Sequence, residues 1–538
     1  MTALVIAAGA GCRKSEPGQG APPPGISSVE TVARVHWLGK KQLAAETNAA
    51  AFMEICNLPE SAKLETQTLD KLALAPWLLL KGDAATNGAP VALLRALLDD
   101  LVQAESYLEI RGVTNKPGEL AFAIRLGPER ARLWETNLAA VLESLTGIRP
   151  VSAAAGRPGW SLKKHDAPKL VELTRAGDWT LVGLAPETNA LLGDFLARIE
   201  SRRAAAGAPF AARTTNFWLE AGLDLRRVSR ALTLAWNLPE EFPRITVAVI
   251  GSHNGVRTQA ELAFARPLPL ELEPWNVPTN LIHGPLVGFT AVRGVKPWLT
   301  SLKKFGFEPP IPWPNQFYSW TLGGFPLEMF FAAPLPDASN QVNRLAETLI
   351  QKVNPWLATN GTGRIEPLPM TNGVWWSGLP MMQAFLQSVH SSDGDFVLGG
   401  LVPYNPTNQP IPAELLQAIS SQTNLIAYQW EITQPGLETW LLLGQTLRLA
   451  FEQAQFPPTS ASMAWLKSAA LKLGNTVTFA TRTGPAQIAF VRHSNLGLTS
   501  LELHLLVDWL ESPQFPRGLH TLLAPPPLAT SADPPPPK

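Results

Sequence analysis

Charge, cysteine and long apolar runs are scarce in this chain of 538 residues, and each scarcity removes a class of protein. Charged side chains make up 16%, 44 basic against 44 acidic, so the formal net charge is zero. No basic run exists to neutralise a phosphate backbone, and no nucleic-acid partner is expected. Two cysteines, Cys12 and Cys56, are too few for a disulfide framework. The apolar run from Ala3 to Gly11 falls far short of the roughly twenty residues that a membrane-spanning helix needs, and no other window comes closer.

Catalytic signatures are missing as well. None of the eight histidines belongs to an HExxH pattern or an i, i+4 pair beside a carboxylate, and neither a Walker A loop nor a GxGxxG after a strand occurs. The sequence therefore assigns no catalytic residue, no metal ligand and no cofactor. GSHNG (Gly251 to Gly255) has the order G-S-x-x-G and lies between two strand-like runs, so it reads as an Asn-Gly hairpin turn, not as a nucleophile elbow carrying Ser252.

What is present begins at the N-terminus. Small and apolar residues up to Gly11 give way at Cys12 to a polar, Gly/Pro-rich stretch through Gly25. A short apolar run of this kind fits a targeting peptide. Ala8-Gly9-Ala10-Gly11-Cys12 resembles the lipobox of bacterial lipoproteins, with Gly9 where that family usually has Leu. The resemblance implies that Cys12 is lipidated and anchors the chain to a membrane of the bacterial cell envelope, with the body outside the cytoplasm. Two plainer readings stand beside it: an incidental cysteine in a ragged terminus, and a Cys12 to Cys56 disulfide. Cys56, in the helix-like stretch AAAFMEICNL, reads as a small buried thiol.

The body repeats itself. GDWTLVGLAP (Gly177 to Pro186) and GDFVLGGLVP (Gly394 to Pro403) lie 217 residues apart; six of ten positions are identical and the third is aromatic in both. If one duplication is responsible, other landmarks should recur at similar spacing. Trp160 and Trp376 do. So do two amphipathic helices, one with Trp134, Leu138, Val141, Leu142 and Leu145 on a single stripe, the other with Val342, Leu345, Ala346, Leu349, Ile350 and Val353. TTNFWLEAGLDL (from Thr214) and QTNLIAYQWEIT (from Gln422) then correspond, and each half closes in a β-rich stretch. The expected organisation is residues 1–25 as signal and tether, 26–272 and 273–525 as two homologous halves, and 526–538 as a Pro-rich tail that cannot build a core.

Within each half the apolar residues alternate, as from Val256 to Phe264, and Gly-Asp marks strand-to-strand turns at Asp178 and Asp395. Hairpins joined to amphipathic helices, without strand and helix alternation, give an α+β class with antiparallel sheet. The layout is similar to duplicated α+β bodies of uncharacterised bacterial envelope proteins. Trp179 and Phe396 are expected in equivalent buried places. Asp178 and Asp395 could be imagined as paired acids for glycoside chemistry, but turn hydrogen bonding accounts for both.

Adjacent Trp375 and Trp376 face opposite sides of a strand, so one could stack on a sugar or acyl chain; burial between the halves is the other reading. The favoured function is a non-enzymatic envelope lipoprotein that scaffolds or binds other components. A carrier of lipid or another apolar ligand, and a hydrolase with a site assembled from distant residues, are the alternatives.

Overall fold

A computed structural model describes residues 30–512 and 515–516, apart from 81–87, 114–115, 153–157, 164–169, 205–216, 235, 237, 253–254, 302–310, 326, 370 and 451–459. Cys12, the tether, the Pro-rich tail and Asn254 of the expected turn lie outside the described residues. The rest is mixed α and β, and every strand pairing with a described register is antiparallel. Two compact units emerge, residues 30–46, 59–244 and 505–516 in one, 47–58 and 245–504 in the other.

The first unit contains β1 (Glu30–Trp37), β2 (Ser106–Val113), β3 (Lys116–Arg125), β4 (Val151–Ser152), β5 (Gly159–Lys163), β6 (Leu170–Ala176), β7 (Trp179–Ala185) and β8 (Phe217–Leu223). Their pairings run β8-β1-β2-β3-β7-β6-β5-β4. Helices cover both faces because both faces of β3 and β7 are apolar. Ala121, Ala123, Trp179 and Leu181 pack on Leu191, Leu192, Phe195 and Ile199 of helix Ala190–Ala204. Ile124 and Leu126 face Leu97 and Trp134 from helices Ala89–Gln103 and Pro128–Thr146. Burial of each large side chain contributes about 1.5–3 kcal/mol.

Local signals set the helix ends. Pro128 fills the first turn of its helix and Gly147 closes it in the left-handed conformation at φ 74°. Asn189 caps the next helix, its Oδ1 accepting from the Leu192 N–H at 2.9 Å.

The second unit contains β9 (Arg244–Ser252), β10 (Gly255–Ala263), β11 (Leu286–Arg293), β12 (Gln316–Leu322), β13 (Met329–Pro334), β14 (Arg364–Pro367), β15 (Gly373–Ser377), β16 (Phe385–Ser391), β17 (Gly394–Gly400), β18 (Leu425–Ile432), β19 (Asn475–Gly484) and β20 (Gln487–Ser494). Their pairings run β9-β10-β20-β19-β18-β11-β12-β13-β17-β16-β15-β14. From β18 onward this order repeats that of the first unit strand for strand. The register agrees too. One row across the first sheet reads Glu220-His36-Tyr107-Ala123-Leu181-Thr174-Gly159, and its counterpart reads Tyr428-Ala291-Tyr318-Ala332-Leu398-Gln387-Gly373.

Four of the seven positions carry the same residue, and the final glycine has a steric reason. A Cβ on Gly159 would lie 2.0 Å from the Leu173 carbonyl oxygen, and one on Gly373 would lie 2.3 Å from that of Leu386.

Trp179 and Phe396 are both buried, but three details differ from the sequence reading. Gly177-Asp178 is the two-residue turn between β6 and β7, whereas between β16 and β17 the turn falls on Ser392-Asp393, and Asp395 sits in β17 opposite His390. The longer hairpin adds two rungs, formed by Gly394 and Asp395 of the motif itself. Gly373, not a tryptophan, shares a rung position with Gly159, so Trp160 corresponds to Val374 instead of Trp376. Finally, the compact units do not divide the chain at residue 273. The hairpin β9-β10 lies in the second unit because Val256 to Ala263 pairs along its length with Ser494 to Gln487, and ladder hydrogen bonds outweigh sequence proximity.

Candidate functional site

The densest buried polar chemistry of the second unit gathers at the start of helix Ser500–Glu511. Thr499 and Glu502 form a reciprocal capping box: the Thr499 N–H donates to Glu502 Oε2 at 3.0 Å and the Glu502 N–H to Thr499 Oγ1 at 3.2 Å. Arg492 of β20 forms a two-pronged, buried ion pair with Glu502. Glu431, near the end of β18, accepts from the Ser500 N–H at 2.6 Å and from its hydroxyl at 2.7 Å. Burial pushes the Glu431 carboxyl above its usual range and nearby Glu502 adds to this, while Ser500 and Arg492 act against it. Thr433 and Thr476 share a buried hydrogen bond at 2.8 Å beside this group.

Ser500 resembles half of a nucleophile and base pair, but its surroundings forbid that chemistry. The side chain is fully buried, and its hydroxyl proton is committed to Glu431. A carboxylate at a helix N-terminus is favoured by the exposed N–H groups and the dipole, so the arrangement fastens the helix to the sheet.

The first unit has a second cluster on β1, β2 and helix Ala190–Ala204. Glu109 is buried yet accepts from Thr31 at 3.1 Å, Tyr107 at 3.2 Å, Arg111 at 3.1 Å and Arg198 at 3.1 Å. Burial raises its pKa, but Arg198 and Arg111 overcome that and hold it below the ordinary range. Desolvation beside this carboxylate pushes Tyr107 up to about 12.

His36 Nε2 lies 3.1 Å from Glu105 Oε1, and Gln42 donates to the other oxygen at 3.1 Å. Burial opposes ionisation of Glu105, but these two bonds and Arg125 keep its pKa low. A histidine held by a carboxylate is two thirds of a triad. Among the described residues, however, no serine, threonine or cysteine hydrogen-bonds to His36.

An open groove of about 560 Å³ runs along helix Pro59–Leu80 past Lys63, Thr66, Gln67, Asp70 and Lys71. Its floor is one helix face, with Gln67 donating to Glu511 at 3.2 Å and Lys71 to the Leu510 carbonyl. Among the described residues no group of three or more His, Cys, Asp or Glu side chains could hold a metal ion.

The residues singled out from sequence do not converge. Trp376 is half-buried within the second unit, its indole N–H donating to the Thr362 carbonyl at 2.8 Å, its ring beside Leu327, Leu379 and Met382. Trp375, also half-buried, sits across from Glu366 and Phe385. Asp178 lies 3.9 Å from Arg125, and Asp395 lies 2.6 Å from His390 Nδ1 at the surface. Cys56 is half-buried, not fully so, at the end of helix Ala50–Cys56.

Sequence reading missed Glu431, Arg492 and the Glu105–His36 pair. The T-x-x-E pattern at Thr499 to Glu502 was a legible cue to the capping box; nothing local marks Glu431 as buried. No protein-family model, curated protein or solved structure matches the chain.

Proposed function

We propose that the chain is a non-enzymatic bacterial envelope protein, lipidated at Cys12, whose two homologous halves form a scaffolding or binding body. The observation that supports duplication is the shared strand order with its shared row register, in which Leu181 and Leu398 keep the 217-residue spacing of the repeated decapeptide. Two unrelated sheets have no physical reason to place a sterically required glycine against a leucine carbonyl in the seventh strand of the same row. A structural role is further supported by where the buried charges are spent. Glu109, Glu431, Arg492 and Glu502 each bind neighbouring strands or helices together.

The anchor rests on the Ala8 to Cys12 pattern. Among the described residues no helix is long and apolar enough to cross a membrane, so a membrane address would have to come from elsewhere. Metabolic labelling with an alkyne fatty acid tests this. The wild-type chain is expected to take the label and Cys12→Ala to lose it; an unlabelled wild type, or label that survives the substitution, sinks the anchor.

A further inference from the structure

We propose that Asn354 guards the outer edge of the second sheet: its side chain fills a self-complementary strand edge and so keeps a second copy of this chain from pairing there. The inference depends neither on the lipid anchor nor on the envelope address.

The edge is β14, which ends the sheet and, among the described residues, has one strand neighbour, β15. Hydrogen bonds fix which of its backbone groups face outward. The Leu368 N–H donates to the Gly373 carbonyl at 3.0 Å. Bonded rungs alternate in an antiparallel ladder, so Glu366 and Arg364 turn their backbone groups toward β15, and those of Ile365 and Pro367 point away from it. An outward N–H and C=O on one residue are a template for a further strand.

Here the template is filled. The Ile365 N–H donates to Asn354 Oδ1 at 2.6 Å, and Asn354 Nδ2 donates to the Ile365 carbonyl at 2.9 Å. One side-chain amide thus takes the place of a residue in a neighbouring strand. Pro367, the next outward position, has no N–H to offer. The helix that carries Asn354, Ala338–Asn360, has its seat without this contact: Ala346 and Leu357 are buried with Ile365 and Val374, and Leu349, Ile350 and Val353 pack against them.

The first half closes the same position by other means. Val151 and Ser152 of β4 pair with Ser161 and Trp160 as Glu366 and Pro367 pair with Trp375 and Val374, so Ile365 corresponds to Pro150. A proline there removes the donor outright. A side-chain amide in one half and a proline ring in the other have only the blocked edge in common.

Charge identifies what the open edge would take. Two copies of β14 related by a two-fold axis at Ile365 exchange its N–H and C=O, and this sets Arg364 of each copy across from Glu366 of the other. Both side chains alternate with buried Ile365 and so lie on the opposite face of the strand, Arg364 at 73% exposure and Glu366 at 25%, where they pair within the chain. Opposite charges on facing rungs favour association of the two edges.

Sedimentation velocity on the full chain carrying Cys12→Ala, which removes any lipid-driven association, tests the guard. Adding Asn354→Ala is expected to give a dimer at least about tenfold tighter than any formed by the Cys12→Ala parent, with the melting transition retained. Glu366→Arg on that background places like charges across the edge and should abolish the dimer. Adding Arg364→Glu as well restores opposite charges with the signs exchanged and should bring the dimer back. Asn340→Ala, which removes bonds to Asp337 at the start of the same helix, should leave the parent's behaviour unchanged. An Asn354→Ala chain that is folded and sediments like the parent overturns the proposal, and so does a dimer indifferent to the sign of the charge at position 366. A variant that loses its melting transition overturns it as well, because Asn354 is then needed to hold the fold and not to close the edge.

Discussion

Glu431 illustrates how a single side chain acquires its role from neighbours that arrive late in the chain. Along β18 it continues the face of Ala427 and Gln429, which as a strand pattern reads as the wetter side. Ser500, 69 residues on, covers that side and turns a surface glutamate into a buried helix anchor. Because the folded carboxyl is pushed up, the folded state holds its proton more tightly than the unfolded state. The associated stability is present below the ordinary carboxylate range and is lost as pH rises through the raised value. Glu431→Gln keeps an acceptor for the Ser500 N–H and cannot ionise. Its melting temperature relative to wild type should therefore climb between acid and neutral pH, with about 2–4 °C for each kcal/mol gained. A difference that falls with pH would show that the folded state holds the carboxylate charged, and a flat one that folding leaves its affinity for a proton unchanged; either overturns this reading.

At the scale of elements, the glycines opposite Leu173 and Leu386 are the sharpest constraint. Gly159 has φ 141°, and neither glycine has room for a Cβ beside the facing carbonyl. Gly159→Ala and Gly373→Ala should each destabilise by about 1–3 kcal/mol, read as a lower urea midpoint with an unchanged slope. Loss at one position with tolerance at the other would break the correspondence between the halves. The helices and most strands were legible because their apolar spacing is local: Trp134 and Val141, or Val342 and Ala346, mark a buried stripe whatever they touch. The second-copy turn was not legible. Ser392-Asp393 and Gly394-Asp395 offer equivalent turn chemistry, and the pairing of His390 with Asp395 and Ser391 with Gly394 chose between them.

For the molecule as a whole, the hairpin β9-β10 is the revealing piece. By sequence it closes the first half, yet its ladder is with β20 of the second. Backbone amides that share a ladder should open together, so hydrogen exchange at residues 255–263 should track that at residues 487–494. It should not track β1, in its own sequence half. Protection that follows β1 instead would assign the hairpin to the other cooperative unit.

By itself, the sequence determined the α+β class, the amphipathic helices, the candidate lipid-bearing cysteine and the recurrence of the decapeptide, because periodicity and turn chemistry act over a few residues. Tertiary structure decided which unit the hairpin joins, where the second turn falls and why Glu431 is buried. Those outcomes depend on strand register and on covering elements tens to hundreds of residues away. Of the decapeptide, the aromatic position holds in both places, with Trp179 and Phe396 in the cores of their respective units, while its Gly-Asp is a turn in one and part of a strand in the other.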